Sequence, residues 1–250
     1  MTNEDLARRG FATGTDVYHR ARPAYRPEVL AYLAGAAGLA PDAHVLDLAA
    51  GTGRMTRELV ALGTDVTAVE PAPAMRETFV AELPDVRLVD GTAEQIPAGD
   101  AQFDAVVVAQ AFHWFDAPAA LREIARVLRP GGALAVLWNE RDQSEPWAAE
   151  LGAATRWEGF RPYLVDRDLG TDLDANGRYE PAVRRDFPWT DRLTHEQLLE
   201  RVGTFSYVVA MPEHERTALF GRVRAYLPKL PDPVELPYVT GTLVSRKRGR

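Results

Sequence analysis

The stretch Val45-Leu-Asp-Leu-Ala-Ala-Gly-Thr-Gly-Arg54 decides the fold of this chain. An apolar strand passes through an acid, Asp47, into a turn with two glycines and then into a helical segment. A second apolar run, residues 66–69, ends at Glu70, 23 residues after the first acid. These segments predict one βαβ unit, with the second acid at the carboxyl edge of a parallel sheet, where it can hold a ribose.

The glycine turn separates two classes of nucleotide cofactor. A dinucleotide site has the pattern G-x-G-x-x-G, but the sixth position here is Thr56. Asp47 would repel a pyrophosphate, whereas a ligand that carries an ammonium suits it. The charges therefore favour S-adenosylmethionine (SAM), with its ribose, ammonium and sulfonium, over NAD. We expect Gly51 and Gly53 to adopt positive φ and to let that ligand approach the backbone.

Five motifs in order resemble those of class I SAM-dependent methyltransferases, over residues 41 to about 138. One departure concerns Thr92, which stands where the family pattern has an acid, so an adenine contact by this side chain is in question. The motifs are Asp47-Leu-Ala-Ala-Gly-Thr-Gly53, Glu70-Pro-Ala-Pro-Ala-Met75, Gly91-Thr-Ala-Glu-Gln-Ile-Pro97, Phe103-Asp-Ala-Val-Val-Val108 and Leu121-Arg-Glu-Ile-Ala-Arg-Val-Leu-Arg-Pro-Gly-Gly132.

Two further segments resemble a narrower group of small-molecule enzymes that includes the trans-aconitate methyltransferases. They are the lead-in Tyr18-His-Arg-Ala-Arg-Pro-Ala-Tyr-Arg-Pro27 and the stretch Ala109-Gln-Ala-Phe-His-Trp-Phe-Asp116. Members of one fold family act on many substrates, so the resemblance transfers fold and cofactor better than it transfers the substrate.

Alternating strands and helices predict an α/β fold with a doubly wound, mostly parallel sheet. We expect strands at 44–48, 65–69, 86–89, 104–109 and 133–138. Pro27 and Gly38 mark the ends of a first helix. The family resemblance completes a Rossmann-like sheet of seven strands with an antiparallel edge strand and a small helical cap. We expect a single domain over 1–250, with its core at about 41–138, a helix at 146–159 with loops beyond, and a last strand at about 234–245. The cap is expected from 1–26 and parts of 139–215.

The candidate cofactor residues divide by the part of SAM that each would contact. The two carboxylate oxygens of Glu70 match the two ribose hydroxyls, and Asp47 should fix the ammonium or the glycine turn. The resemblance implies the remaining contacts. They are Ala93 and Glu94 bordering adenine, Met75 and Thr92 elsewhere among the cofactor-binding residues, Gln110 near the sulfonium, and Tyr18 and Arg22, which either reach the SAM carboxylate or close over the pocket.

His113 and Trp114 are the candidates on the acceptor side, together with Gln110. A hydroxyl or ammonium acceptor must lose a proton, and histidine titrates near neutral pH. A carboxylate acceptor needs no base, in which case His113 would only orient it or serve the structure. Trp114 offers an aromatic face to a sulfonium or a planar substrate, or else fills the core.

Composition narrows the class of protein further. The chain contains no cysteine, which excludes thiolate catalysis and cysteine-based zinc sites, and its histidines show no metal spacing. A net charge of −7 gives no general attraction to nucleic acid. We expect no metal, no membrane or nucleic-acid partner, a cytoplasmic location, and a monomer or homodimer. The basic end, 246–250, is expected to be solvated.

Three functions remain open from the sequence. The first is methyl transfer from SAM to a carboxylate, hydroxyl, amine or carbon of a small molecule, with S-adenosylhomocysteine (SAH) as the product. The second is a non-catalytic SAM-binding regulator or partner subunit. The third, an NAD-dependent oxidoreductase, is disfavoured because the third glycine and a Tyr-x-x-x-Lys pair are missing.

Overall fold

The structure, a computed structural model, describes residues 23–155 and 169–249. Tyr18 and Arg22 lie outside these residues. The described chain groups into two compact units. The sheet unit contains 24–138, 169–187 and 241–249, and the second unit contains 139–155 and 188–240. The single-domain organisation and the position of a cap stay predictions.

Seven strands form one sheet in the order β3-β2-β1-β4-β5-β7-β6. The strands are β1 (His44–Leu48), β2 (Asp65–Val69), β3 (Arg87–Val89), β4 (Phe103–Ala109), β5 (Leu128–Arg141), β6 (Val183–Leu193) and β7 (Val234–Arg246). The helices are α1 (Pro27–Ala37), α2 (Arg54–Ala61), α3 (Pro73–Glu82), α4 (Ala117–Val127), α5 (Pro146–Ala154), α6 (Leu169–Asn176), α7 (His195–Gly203), α8 (Ser206–Val209) and α9 (Glu213–Tyr226). Short 3-10 helices lie at Phe112–Trp114 and Leu227–Lys229.

The first five strands are parallel, and β7 runs against β5. The pairs β1–β2, β2–β3, β1–β4 and β4–β5 are all parallel. The backbone N–H of Gly131 donates to the carbonyl of Lys247, and that of Asp142 donates to the carbonyl of Pro237. Residue numbers rise along β5 as they fall along β7, so the two strands are antiparallel. The predicted Rossmann-like, mostly parallel sheet of seven strands is confirmed, and its antiparallel strand, β7, lies one place in from the edge, between β5 and β6.

Alternate residues of the central strands enter two separate cores on the two faces of the sheet. Leu46, Val106 and Val108 belong to one cluster, whereas Val45 and Val107 belong to the other. All five side chains are fully buried. Strands covered on both faces read as continuous apolar runs, because both sets of alternating side chains avoid water.

The second unit has its own apolar core, built largely from helices α7 and α9. Leu198 and Val202 on α7 pack with Leu219 and Val223 on α9. Thr194 and Gln197 form a capping box that satisfies the first amides of α7. This core explains why α7 and α9 form, since each helix buries an apolar face in it.

One expectation about local structure is wrong. Loops were expected beyond 159, but α6 forms there; its apolar face consists of just Leu169 and Leu173, too few to show a helical period. The basic end is exposed at Arg246 and Arg248, and two of its side chains also bond to the protein. Arg246 donates from Nη2 to the carbonyl of Ala36 at the end of α1 (2.9 Å), and Lys247 donates from Nζ to Leu128 (2.7 Å). Cations at a helix carboxyl end are favourable.

Helix length bears on the membrane question. In the part of the chain that the structure describes, no helix is long and apolar enough to cross a bilayer.

Candidate functional site

The two glycines of the turn between β1 and α2 have different surroundings. Gly51 has φ 59°, and a Cβ added to it would meet no atom within 4 Å. Gly53 has φ 82°, and a Cβ there would lie 2.6 Å from Cδ1 of Leu83 and 2.9 Å from Cδ2 of Phe79. Gly51 therefore borders open space that a ligand can enter, whereas Gly53 lets the turn pack closely against α3. Sequence reasoning gave both glycines the first role.

Glu70 follows β2 directly and holds the glycine turn from the neighbouring strand. Its Oε2 accepts the backbone N–H of Gly51 at 2.9 Å, and its Oε1 accepts that of Ala72 at 2.8 Å. The side chain is 6% exposed. Burial raises the pKa of Glu70, and the two amide hydrogen bonds oppose this. Each oxygen keeps a further lone pair, so the carboxylate can still accept two hydroxyls.

Arg76 fixes the backbone beside that carboxylate. Its Nη1 donates to the carbonyls of Glu70 (3.0 Å) and Pro71 (2.7 Å) and to Oδ1 of Asp90 (3.0 Å). The position of Glu70 is thus set by the amides that its side chain accepts and by the arginine that binds its carbonyl.

Asp47, near the end of β1, is buried and only partly satisfied. It is 1% exposed, and its Oδ2 accepts the hydroxyl of Thr56 at 2.5 Å. Its Oδ1 is buried and has no hydrogen-bond partner among residues 23–155 and 169–249. Burial and, to a smaller extent, the negative charge of Glu70 raise the pKa of Asp47 to about 7, against the hydrogen bonds from the hydroxyl and the backbone of Thr56. An unpaired buried acceptor is costly, and a cationic ligand group would relieve that cost.

The adenine-side candidates lie in the loop between β3 and β4, except for Met75, which lies on α3. Ala93 and Met75 are buried, at 4% and 3% exposed. Thr92 is exposed, and its Oγ1 accepts the backbone N–H of Gln95 at 3.2 Å, inside the loop itself. Glu94 accepts the backbone N–H of Asp116 at 2.9 Å, where α4 begins. The structure thus gives Thr92 and Glu94 partners within the protein, while Ala93 and Met75 offer apolar surface.

Arg126 and Glu123, on α4, anchor that same loop. Arg126 donates to the carbonyls of Ile96 (2.9 Å) and Ala98 (2.8 Å) and to Oδ1 of Asp100 (2.9 Å). Glu123 pairs with Arg126 through both oxygens and accepts the backbone N–H of Ile96 at 3.1 Å. Sequence reasoning missed both residues as part of the site. Their spacing of three on one helix was the available signal, but it does not reveal the loop partner.

The acceptor-side candidates follow β4, which pairs with β1 in the sheet. Gln110 has φ 62°, and its backbone N–H donates to Leu137 at 2.8 Å. The next residues form the 3-10 helix Phe112–Trp114. His113 and Trp114 are half-buried, with ring centroids 4.7 Å apart. Positive φ in a non-glycine residue is costly and tends to occur at functional positions. The fold therefore places Gln110, His113 and Trp114 at the same sheet edge as the glycine turn.

Across residues 23–155 and 169–249, no group of three or more histidine, aspartate or glutamate side chains is placed to hold a metal ion.

Comparison with known proteins agrees with this architecture. Residues 46–136 match the family model described as a methyltransferase domain. An uncharacterized methyltransferase of Mycobacterium tuberculosis is 40% identical over 238 residues, which cover 92% of each chain. A demethylmenaquinone methyltransferase of Beutenbergia cavernae is 38% identical over 170 residues, covering 67% of this chain and 68% of that one.

A solved structure with a similar fold is the phosphoethanolamine N-methyltransferase 2 of Haemonchus contortus in complex with SAM. It has a TM-score of 0.62 at 17% identity and covers 99% of this chain and 60% of that chain. The seven-stranded sheet, the glycine turn and the acid after β2 define a class I methyltransferase. This chain belongs to the SAM-dependent methyltransferase family. Membership of the group around the trans-aconitate methyltransferases stays a prediction.

Proposed function

We propose that this chain transfers the methyl group of SAM to a small-molecule acceptor and binds SAM at the glycine turn. The observation that carries the proposal is the pair of buried acids around Gly51. Glu70 accepts a hydrogen bond from the backbone N–H of Gly51, and Oδ1 of Asp47 has no hydrogen-bond partner among the described residues. Acids held in this way suit a ligand that presents a diol and a cation.

The described residues fit SAM at three points. Glu70 is positioned to accept both ribose hydroxyls, because its two oxygens are already oriented by amides of Gly51 and Ala72. Asp47 supports the ammonium through its unpaired Oδ1. Ala93 and Met75 supply apolar surface for adenine. Contacts from Tyr18 and Arg22 to the SAM carboxylate remain part of the proposal, since both residues lie outside the described ones.

SAM supplies an activated methyl group whose transfer leaves a neutral thioether. The chain's own contribution is to hold the acceptor in line with that methyl and to keep its nucleophile unprotonated. Good alignment alone accounts for several kcal/mol of barrier reduction, about 7 or more in well-oriented model reactions. His113, beside Trp114, is the proposed base for a hydroxyl or amine acceptor, and Gln110 would lie near the reacting centre.

The acceptor class rests on two likenesses that point to different molecules. The relative named demethylmenaquinone methyltransferase supports a demethylmenaquinone-like acceptor. The segments resembling the trans-aconitate methyltransferases support a carboxylate, for which His113 would orient the acceptor rather than deprotonate it. Hydroxyl and amine acceptors complete the proposed range. Action without a nucleic-acid or membrane partner, in the cytoplasm and as a monomer or homodimer, also remains a proposal.

Titration followed by turnover tests this function. We expect calorimetry to show binding of SAM and SAH and no response to NADH. Release of SAH is then followed with panels of small carboxylates, quinols, phenols and amines. Turnover with one panel supports the enzyme, whereas tight SAM binding without turnover on any panel would favour a non-catalytic SAM-binding subunit. A response to NADH without one to SAM would overturn the cofactor assignment.

The role of His113 is tested separately. His113→Ala should leave SAM affinity within about threefold of the wild type and lower turnover by roughly 100-fold or more if this residue is the base. The matched control is His214→Ala, at an exposed histidine on α9. Full turnover in His113→Ala with the true acceptor would remove the base from the mechanism and favour a carboxylate acceptor.

A further inference from the structure

We propose that Thr56 is a positioning residue that orients Asp47 for the ammonium of SAM and makes its ionisation easier when that cation arrives. Cofactor binding then displaces the proton that this buried carboxyl holds in part of the ligand-free population. The inference rests on the proposed function and deepens it, because it names the side chain that prepares Asp47 for the ligand and the proton that leaves on binding.

The geometry places Thr56 where it can serve Asp47 but not the ligand directly. It lies in the first turn of α2, is fully buried, and donates its hydroxyl to Oδ2 of Asp47 at 2.5 Å. This is the position at which the dinucleotide pattern requires its third glycine. Thr56, the residue that departs from that pattern, therefore has a specific role here: its hydroxyl binds one oxygen of Asp47.

The second oxygen of Asp47 is the one left for a ligand. Oδ1 is buried without a hydrogen-bond partner among the described residues, although a carboxylate oxygen has strong acceptor capacity. With Oδ2 fixed by Thr56, rotation of the carboxylate is restricted and Oδ1 points in one direction. A ligand ammonium that reached Oδ1 would complete the hydrogen bonding of a side chain that is otherwise half satisfied.

The charges around Asp47 favour its protonated form until a cation arrives. Glu70 is the ionisable group that acts on it, and the negative charge of Glu70 adds to the effect of burial. Because these effects place the pKa of Asp47 at about 7, the ligand-free protein holds a proton there in much of the population near neutral pH. An ammonium beside Oδ1 favours the ionised form, so binding releases that proton.

Calorimetry in buffers of different ionisation enthalpy measures the released proton directly. SAM is titrated into the wild-type protein near neutral pH, in phosphate and in Tris. The two apparent binding enthalpies should differ by about half of the difference between the ionisation enthalpies of the two buffers, because about half a proton is released per SAM bound. Methylthioadenosine, which keeps the ribose and adenine but lacks the ammonium, should bind with no such difference. Asp47→Asn should bind SAM more weakly and also without a buffer dependence.

Thr56→Val removes the hydroxyl and keeps the shape, and Thr56→Ser keeps the hydroxyl. Loss of the hydrogen bond should raise the pKa of Asp47 by about one unit. SAM affinity of Thr56→Val should then fall about tenfold at roughly pH 6 but only about threefold at roughly pH 7.5, with more protons released near neutral pH. Thr56→Ser should follow the wild-type profile.

Two results would overturn the inference. One is SAM binding by the wild type with equal enthalpies in both buffers, and this measurement remains decisive even if Thr56→Val does not fold. The other is an equal loss of affinity at both pH values in Thr56→Val, which would mean that Thr56 only supports the fold. Failure of the wild type to bind SAM at all would instead refute the proposed function.

Discussion

The glycine turn, residues 47–53, and the loop–helix joint, where residues 92–102 meet α4, treat their polar groups in opposite ways. At the turn, a fully buried carboxylate oxygen of Asp47 has no hydrogen-bond partner in the described chain. At the joint, Arg126 donates to two carbonyls and two carboxylates, and Glu123 also accepts a backbone amide. Both regions lie in the same unit and adjoin the same parallel sheet, so the contrast reflects function.

The difference indicates where the fold tolerates a buried polar atom without a hydrogen-bond partner. A buried polar group without a partner lowers stability, and proteins tolerate it mainly where a ligand completes it. At the joint, the side chains of Arg126 and Glu123 have hydrogen-bond partners within the protein. These bonds hold the adenine-side loop in one place before SAM binds. Support and binding are thus divided between two neighbouring segments.

The largest expected effect separates the two glycines within the turn. Gly53→Ala should cost about 3 kcal/mol of unfolding free energy, because its Cβ would overlap Leu83 and Phe79 and the residue would keep positive φ. Gly51→Ala should cost about 1 kcal/mol, from backbone strain alone, yet weaken SAM binding more, since it borders open space. Urea denaturation and SAM titration of both variants check this. Equal losses of stability would contradict the assignment of separate roles.

A second comparison tests the joint. Arg126→Ala should lower the unfolding free energy by about 2 kcal/mol, because the carbonyls of Ile96 and Ala98 lose their donor. Its KM for SAM should rise while kcat changes little. Arg129→Ala, three residues away and paired with the partly exposed Asp104 at the start of β4, should cost less than about 1 kcal/mol and leave KM unchanged. Identical KM values in the two variants would argue against the supporting role of the joint.

Asp47→Asn tests whether the buried carboxylate of the turn lowers the stability of the ligand-free protein. The folded pKa of Asp47 is raised, so the folded state holds a proton that the unfolded state has lost. The free energy of unfolding of the wild type therefore falls as pH rises from about 4 to about 7, because the folded state loses this proton only near the upper value. Above that range, Asp47→Asn should be more stable than the wild type by roughly 2 kcal/mol. Thermal denaturation of the ligand-free proteins across that range measures it. A variant less stable than wild type near pH 8 would contradict the unpaired carboxylate.

The smallest effect concerns backbone strain, which the two regions share. Ala49 in the turn has φ 59°, and Ala101 in the joint has φ 50°. Replacing either alanine with glycine relieves strain but loosens the unfolded chain, so each change should stabilise the protein by no more than about 0.5 kcal/mol. Urea denaturation of Ala49→Gly and Ala101→Gly checks this. A large difference between them would show that strain, and not polar satisfaction, distinguishes the regions.

Sequence patterns predicted the parts of the fold that depend on neighbouring residues. The strands at 44–48 and 65–69 appear with the predicted bounds, because each is an apolar run between turn residues. Their pairing in parallel register also confirms that Asp47 and the end of β2 share one edge of the sheet. Local pattern and topology rules therefore suffice to bring the two acids together.

The remaining features depend on partners that are distant in sequence. Arg126 reaches Ile96 across 30 residues, and Arg246 reaches Ala36 across 210. Nothing near either arginine identifies those carbonyls. The separate roles of the glycines likewise depend on Leu83 and Phe79, which only the folded chain brings against Gly53. Helix α6 was missed because two leucines are too short a pattern.

The most direct test of the account is SAM titration into Glu70→Ala, beside the wild type and Glu77→Ala, an exposed acid on α3 that removes the same charge. We expect Glu70→Ala to weaken SAM binding by roughly 100-fold, because the ribose loses both acceptors. Glu77→Ala should bind as the wild type does. Unchanged SAM affinity in a folded Glu70→Ala protein would contradict the assignment of this acid to the ribose, and with it the site at the glycine turn.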